Sequence, residues 1–151
     1  MSGWRTNRGR SAPRAAGTAW FLRCNPQHHS FAVSRGPHVA LHHASFEMRG
    51  IDEYMRGSGR MPRAGVEKVW GPGRHCAGDN TFSYFLDKAG NTVEYTTELE
   101  LVDEDLWHPS VHDLTNPHLM DQWGTANPMN EFVAARSFTD PDRGLFVAPP
   151  R

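Results

Sequence analysis

Short runs of apolar and aromatic residues, separated by turn-forming residues, make up the hydrophobic pattern of this chain. Runs of about four to eight such residues, bounded by Gly, Pro, Asn or Asp, are typical of β-strands. No apolar run approaches the roughly 20 residues that a membrane-spanning helix needs. The pattern predicts strands over residues 19–24, 28–33, 38–48, 66–70, 81–86 and 92–101.

Residues 50–65 predict a helix, because their apolar side chains recur at partly helical spacing. Internal glycines and Pro62 oppose a helix, so we expect it to be weak and open to a break. Residues 71–80, which begin Gly-Pro-Gly, predict a loop. The predicted order over 38–101 is therefore β-α-β-β-β, with a β-hairpin over 19–33 before it, which gives an α+β fold.

The composition fits a single globular domain. The chain has 151 residues, 38% of them hydrophobic, and a net charge of −1. So small a charge gives no basic field for nucleic acid, and we expect neither nucleic acid nor a membrane as a partner. Two cysteines cannot form a disulfide framework and fit a reducing compartment, which predicts a cytoplasmic location.

The two ends of the chain differ from its middle. Residues 1–18 hold arginines and no acidic residue, and we expect them to be a disordered basic leader. A transit peptide and a wrong-frame start are the alternatives. The proline-rich, weakly periodic residues 102–151 predict an extended C-terminal arm that wraps the domain at 19–101.

Histidine is the unusual residue of this composition, with nine in the chain. The pair His42–His43 lies in a predicted strand, and Glu94 lies between two apolar residues in a later strand. Such a carboxylate is costly unless it is paired or binds a metal, and histidine with carboxylate ligation is typical of non-haem Fe(II) oxygenases. The structural alternative is a half-exposed glutamate on an edge strand, because two more glutamates follow it.

Further polar groups lie around the same βαβββ unit. The pair His28–His29 ends the predicted hairpin turn, His75 lies in the glycine-rich loop, and Tyr84 lies in an aromatic strand. Taken singly, these residues have ordinary alternatives as a surface histidine, a loop histidine and a core ring. Their arrangement around one βαβββ unit makes them candidate functional residues.

In these motifs the chain resembles the C-terminal domain of type I extradiol ring-cleavage dioxygenases, of the catechol 2,3-dioxygenase and 2,3-dihydroxybiphenyl 1,2-dioxygenase kind. These enzymes belong to the vicinal oxygen chelate superfamily. The resemblance covers roughly residues 19–130 and implies a mixed sheet, with a complete βαβββ module over 38–101 and a half-module over 19–33. The matching stretches are FLRCNPQHHSFAV (21–33), LHHASFEM (41–48), WGPGRHCAGDNTFSYFLDKAGNTVEYTTELE (70–100) and MDQWGTANP (120–128).

The resemblance also implies a role for each motif residue. His43 and Glu94 match metal ligands, and His29 matches the histidine that moves the catechol proton. His75 and Tyr84 match groups that hydrogen-bond the substrate oxygens. The implied activity is meta-cleavage of a catechol-type compound with Fe(II) and O2, with Mn(II) as the alternative ion. An uncovered half-module also predicts a homo-oligomer, because its apolar edge invites association.

One family feature is missing from this sequence. The family's third metal ligand is a histidine on the first strand of the preceding module, and only 27 residues, none of them histidine, precede His28. We interpret the chain as a truncated or rearranged product with an incomplete metal site. His108, His112, His118 or a partner chain are the candidate substitutes for the missing ligand. The functional alternatives are a non-catalytic binding module, of the bleomycin-resistance or glyoxalase-like kind, and an inactive remnant.

Overall fold

The computed structural model describes residues 19–34, 38–108, 110–113, 116 and 118–128. The predicted leader over 1–18 and the part of the predicted arm beyond residue 128 lie outside the described residues. None of the helices in the described part has both the length and the apolar character needed to cross a bilayer. The elements are β1 (Ala19–Leu22), β2 (Phe31–Ser34), β3 (Ala44–Glu47), α1 (Ile51–Arg63), β4 (Lys68–Arg74), β5 (Thr81–Leu86) and β6 (Thr92–Thr97).

The strands form two separate sheets. β1 and β2 pair antiparallel as a hairpin. The other strands form a four-stranded sheet in the order β3-β6-β5-β4, in which β3 runs parallel to β6 and the remaining pairs are antiparallel. The order β3-α1-β4-β5-β6 confirms the predicted βαβββ module, and the mixed sheet confirms the α+β fold.

Helix α1 packs on one face of the four-stranded sheet. It is continuous over 13 residues, so the expected break is absent, and Pro62 lies in its last turn. Gly57 permits close packing, because a Cβ there would lie 3.2 Å from ring carbons of Tyr95. The fully buried Tyr54 donates a hydrogen bond from its hydroxyl to the carbonyl of Phe82 at 2.5 Å. These contacts stabilise a helix that its internal glycines weaken.

Several predicted strands are longer than the observed ones. β3 begins at Ala44, so the pair His42–His43 precedes the strand instead of lying in it. β2 begins at Phe31, which leaves His28–His29 in the hairpin connection. β6 ends at Thr97 because the next residue has a φ of 59°, which extended backbone does not adopt.

Strand β4 is longer than predicted and runs to Arg74 through the Gly-Pro-Gly motif, where the sequence predicted a loop. β4 is an edge strand of the sheet, and a proline is tolerated at an edge. The register shifts between Trp70 and Gly73. Gly71 has a φ of 96°, and a Cβ there would lie 2.6 Å from the carbonyl oxygen of Phe82, so only glycine fits.

A buried hydrophobic cluster lies on the sheet face opposite to α1. Cross-strand pairing places Trp70, Tyr84, Glu94 and Ser45 in one row across the sheet. Paired residues on neighbouring strands share a face, and Tyr95, which contacts α1, must point the other way from Glu94. Val69, Trp70, Phe82 and Tyr84 form the buried hydrophobic cluster, against which Leu86, Met120 and Ala126 pack.

Candidate metal centre

Glu94 lies at the centre of the four-stranded sheet. Its strand, β6, runs between β3 and β5, and Glu94 pairs with Ser45 on one side and Tyr84 on the other. Only 4% of the residue is exposed. The alternative of a half-exposed glutamate on an edge strand is therefore wrong. A carboxylate this deeply buried requires a cationic partner, hydrogen bonds or a metal ion.

His43 brings its imidazole ring to this carboxylate. Its Nε2 lies 3.3 Å from Glu94 Oε2, and its ring packs edge-on against Tyr84 with 5.1 Å between the centroids. The other ring nitrogen, Nδ1, hydrogen-bonds Nδ1 of His42. Histidines that bind metals usually place their second ring nitrogen in a hydrogen bond that fixes the ring, and His42 occupies that position here.

The charge of Glu94 follows from these neighbours. Burial by itself raises the pKa of this carboxyl group. The hydrogen bond with His43, together with the positive charges that His43 and His75 carry when protonated, outweighs burial and holds the pKa of Glu94 below its ordinary value. Glu94 is therefore an anion at neutral pH, as a metal ligand must be.

His75 and Tyr84 form a hydrogen-bonded pair beside Glu94. His75 Nε2 lies 3.2 Å from the Tyr84 hydroxyl and 3.8 Å from Glu94 Oε1. The ring of His75 stacks on Phe82 at a centroid distance of 4.1 Å. Burial lowers the pKa of His75 and raises the pKa of Tyr84 well above its ordinary value, so both are neutral near pH 7.

His29 lies in the connection between β1 and β2. Its Nδ1 is 2.9 Å from Nδ1 of His28, and its ring centroid is 4.8 Å from that of Phe21. Burial and then the charge of His28 lower the pKa of His29 to about 4, although the nearby charge of Glu94 acts in the opposite direction. At neutral pH His29 is therefore uncharged and able to accept a proton.

The structure brings the side chains that the sequence singled out to one face of the sheet. His43, His75 and Tyr84 contact Glu94 or one another directly, and His29 feels the charge of Glu94. Sequence reasoning missed the carbonyl of Met120, which accepts a hydrogen bond from His75 Nδ1 at 2.8 Å. Every residue has a backbone carbonyl, so the residue type at position 120 could not predict this hydrogen bond.

The pair of His43 and Glu94 fits two neighbouring positions around a metal ion. Bonds of about 2.0–2.2 Å from a metal to nitrogen and oxygen place adjacent ligand atoms roughly 3 Å apart, close to the 3.3 Å observed here. Glu94 Oε1 is buried and has no hydrogen-bond partner among the described residues. Within the described part of the chain, no group of three His, Cys, Asp or Glu side chains has a metal-binding arrangement, and the histidines proposed as substitutes complete none.

Known proteins similar to this chain were found by sequence and by structure, although no protein-family model matches it. Metapyrocatechase 2 from Cupriavidus necator is 31% identical over 101 residues, which are 67% of this chain and 31% of the relative. The Mn(II)-bound glyoxalase from Novosphingobium aromaticivorans is 44% identical with a TM-score of 0.69, over 76% of this chain and 38% of that one. The 2,3-dioxygenase LapB from Pseudomonas sp. KL28 is 26% identical with a TM-score of 0.57, over 62% and 32% of the two chains. The chain thus spans about a third of the length of these relatives.

Proposed function

We propose a function from one premise: this chain has the vicinal oxygen chelate fold of the extradiol dioxygenase type. On that premise, the chain carries ligands and substrate-facing groups of a dioxygenase that cleaves a catechol-type compound with O2. Fe(II) is the proposed resident ion, held in part by His43 and Glu94.

The observation that carries this proposal is the buried pair of His43 and Glu94. A carboxylate at the centre of a sheet, with one oxygen 3.3 Å from an imidazole nitrogen and the other unsatisfied, is costly as a purely structural feature. A metal ion held by His43 Nε2 and the Glu94 carboxylate would neutralise this buried charge. The arrangement therefore favours ligation over a structural role.

The other side chains supply proton transfer and orientation. When bound, Fe(II) supplies a template for the substrate oxygens and O2 and stabilises negative charge on them. His29 is neutral at pH 7 and takes a proton from a catechol hydroxyl, so that the substrate binds as an anion. Tyr84 keeps its phenolic proton, and it forms a hydrogen-bonded pair with His75 beside the proposed ligands.

The same observations bear on a second metal ion and on a non-catalytic role. Mn(II) is the second candidate ion, because similar nitrogen and oxygen ligands suit it and the glyoxalase neighbour is Mn(II)-bound. A non-catalytic binding module is not favoured, because a sequestering protein needs no proton-accepting histidine. The similarity to a metapyrocatechase and a 2,3-dioxygenase points to an enzyme in the same way.

Turnover of a catechol by the full chain tests this proposal. The chain is loaded anaerobically with Fe(II) or with Mn(II), its metal content is measured, and the yellow ring-opened product is followed after O2 is admitted. We expect His29→Gln to lose at least about 100-fold in turnover with its iron still bound, while His118→Gln, at an exposed position, stays active. A chain that holds iron and cleaves no catechol would instead be a binding module, and loss of iron in His29→Gln would make this residue a ligand.

A further inference from the structure

Residues 118–127, here named the strap, run antiparallel to β4 along the outer edge of the four-stranded sheet. Their hydrogen bonds to β4 and to the residues beside it follow one another in register. They join Cys76 N to Leu119 O (3.3 Å), Gln122 N to Arg74 O (2.7 Å), Thr125 Oγ1 to Pro72 O (2.7 Å) and Trp70 Nε1 to Asn127 O (2.8 Å). The strap thus covers an edge strand whose backbone groups would otherwise face solvent.

Asp121 organises this strap. Its carboxylate accepts hydrogen bonds from the backbone N–H groups of Arg74 and Trp123, each at 3.1 Å, and of Ala126 at 2.9 Å. Gly73 allows the approach, because a Cβ there would lie 2.7 Å from Asp121 Oδ1. One side chain therefore bends the strap and fastens it to β4.

The strap forms two hydrogen bonds with His75. The ring nitrogen Nδ1 donates to the carbonyl of Met120 at 2.8 Å, and Gln122 Nε2 donates to the backbone carbonyl of His75 at 2.5 Å. A carbonyl oxygen can only accept, so Nδ1 must carry a proton. In the neutral imidazole ring Nε2 then has none, and its lone pair faces the hydroxyl of Tyr84, 3.2 Å away.

We propose that the strap sets the tautomer of His75, and that it thereby makes Nε2 a proton acceptor on the side of the ring that faces Tyr84 and Glu94. With the proton on Nε2 instead, the ring would donate toward Glu94 Oε1, 3.8 Å away, and compete for a carboxylate that the proposed metal needs. The strap is a positioning element. Its contribution to catalysis rests on the proposed function, whereas its effect on the tautomer of His75 is independent of that function.

Nitrogen NMR of the full, metal-free chain labelled with 15N-histidine tests this proposal, at a pH where the imidazole is neutral. His75→Gln identifies the signal. We expect Nδ1 of His75 to be of the protonated, pyrrole type and Nε2 of the unprotonated, pyridine type. Asp121→Ala, which releases the strap, should shift the ratio of the two tautomers about tenfold toward Nε2–H, and Asp121→Asn, which keeps an acceptor oxygen, should restore much of it.

Asp87→Ala is the matched control, because Asp87 also accepts backbone N–H groups, from Ala89 and Asn91, but lies in the turn after β5. It should leave the His75 tautomer unchanged. If Asp121→Ala does not fold, Gln122→Ala, which removes a single exposed side chain, is measured in its place. An Nε2–H tautomer in the unaltered chain, or an unchanged tautomer in the folded strap variants, would overturn the proposal. A tautomer shift in a chain without turnover would preserve it and reject only the proposed function.

Discussion

Strands β5 and β6 of the four-stranded sheet bury their side chains very differently from the β1–β2 hairpin. In β5 every residue from Thr81 to Phe85 is buried. In the hairpin, β2 is exposed throughout, and β1 is exposed except at its partly buried last residue. The sheet therefore has a core of its own, whereas the hairpin depends on a few bonds to its neighbours.

Those bonds join the hairpin connection to the strand end and loop after β6. His28 N donates to Glu100 O at 2.8 Å, and Val102 N donates to Pro26 O at 2.6 Å. Gln27 adds a side-chain bond to Glu47 at 2.9 Å. The two regions thus give the proposed centre different kinds of support. Glu94 is held by a packed sheet, and His29 is held mainly by hydrogen bonds at the edge of a marginal element.

The sharpest way to break this comparison is to remove one phenylalanine from each region. Phe82 is fully buried between His75 and Trp70, and Phe31 is 58% exposed on β2. We expect Phe82→Ala to lower the free energy of unfolding by about 3–5 kcal/mol, and Phe31→Ala to change it by less than about 0.5 kcal/mol. Urea titration followed by tryptophan fluorescence measures both. Equal losses would mean that the hairpin belongs to the core.

Acid should destabilise the protein through His29. The pKa of this residue is about 4 in the folded chain and 6.5 without burial. Between these values the unfolded chain binds a proton that the folded chain does not, so stability is complete above about pH 6.5 and falls as the pH drops toward 4. The loss is at most about 3 kcal/mol, and partial exposure of the ring makes it smaller. His29→Gln should flatten the profile of urea midpoint against pH, and His118→Gln should not. A steep profile in His29→Gln would assign the effect to another group.

The hydrogen bonds between α1 and the sheet should contribute less. Tyr54→Phe removes the hydroxyl that bonds Phe82 O at 2.5 Å and Ser83 Oγ at 2.9 Å. Because these partners stay buried, we expect a loss of about 1–2 kcal/mol in unfolding free energy. Ser83 retains its bond from Ser58, which limits the cost. A neutral substitution would show that water or Ser58 replaces the hydroxyl fully.

Much of the module follows from residue patterns, and the exceptions have physical causes. β5 was predicted at its observed bounds because an apolar run between turn residues has no competing interpretation. β4 was cut short because Gly-Pro-Gly is a turn signal, and the reasons for its extended form are the distant residues Phe82 and Asp121, which pack where a Cβ would stand. β3 was overextended because Val39 and Leu41 are apolar, although both are mostly exposed. Local patterns do not reveal which apolar residues find a partner.

The candidate site shows the same division. Motif positions pointed to His43, His75, Tyr84 and Glu94. The register of β5 and β6 pairs Tyr84 with Glu94, and His43 and His75 lie just before β3 and just after β4. Their roles stay predictions. The carbonyl of Met120, which orients His75, had no sequence signal, because any residue supplies the same acceptor. Motifs predict which side chains surround a functional group. They do not predict which backbone atoms hydrogen-bond to it.

Metal affinity of a single glutamate variant tests the central claim most directly. The full chain, freed of metal, is titrated with Fe(II) under anaerobic conditions and separately with Mn(II), beside Glu94→Gln and the matched control Glu67→Gln at an exposed position. We predict that Glu94→Gln weakens binding by more than about 100-fold, and that Glu67→Gln binds as the unaltered chain does. Equal affinity in all three proteins would contradict a metal centre built on Glu94.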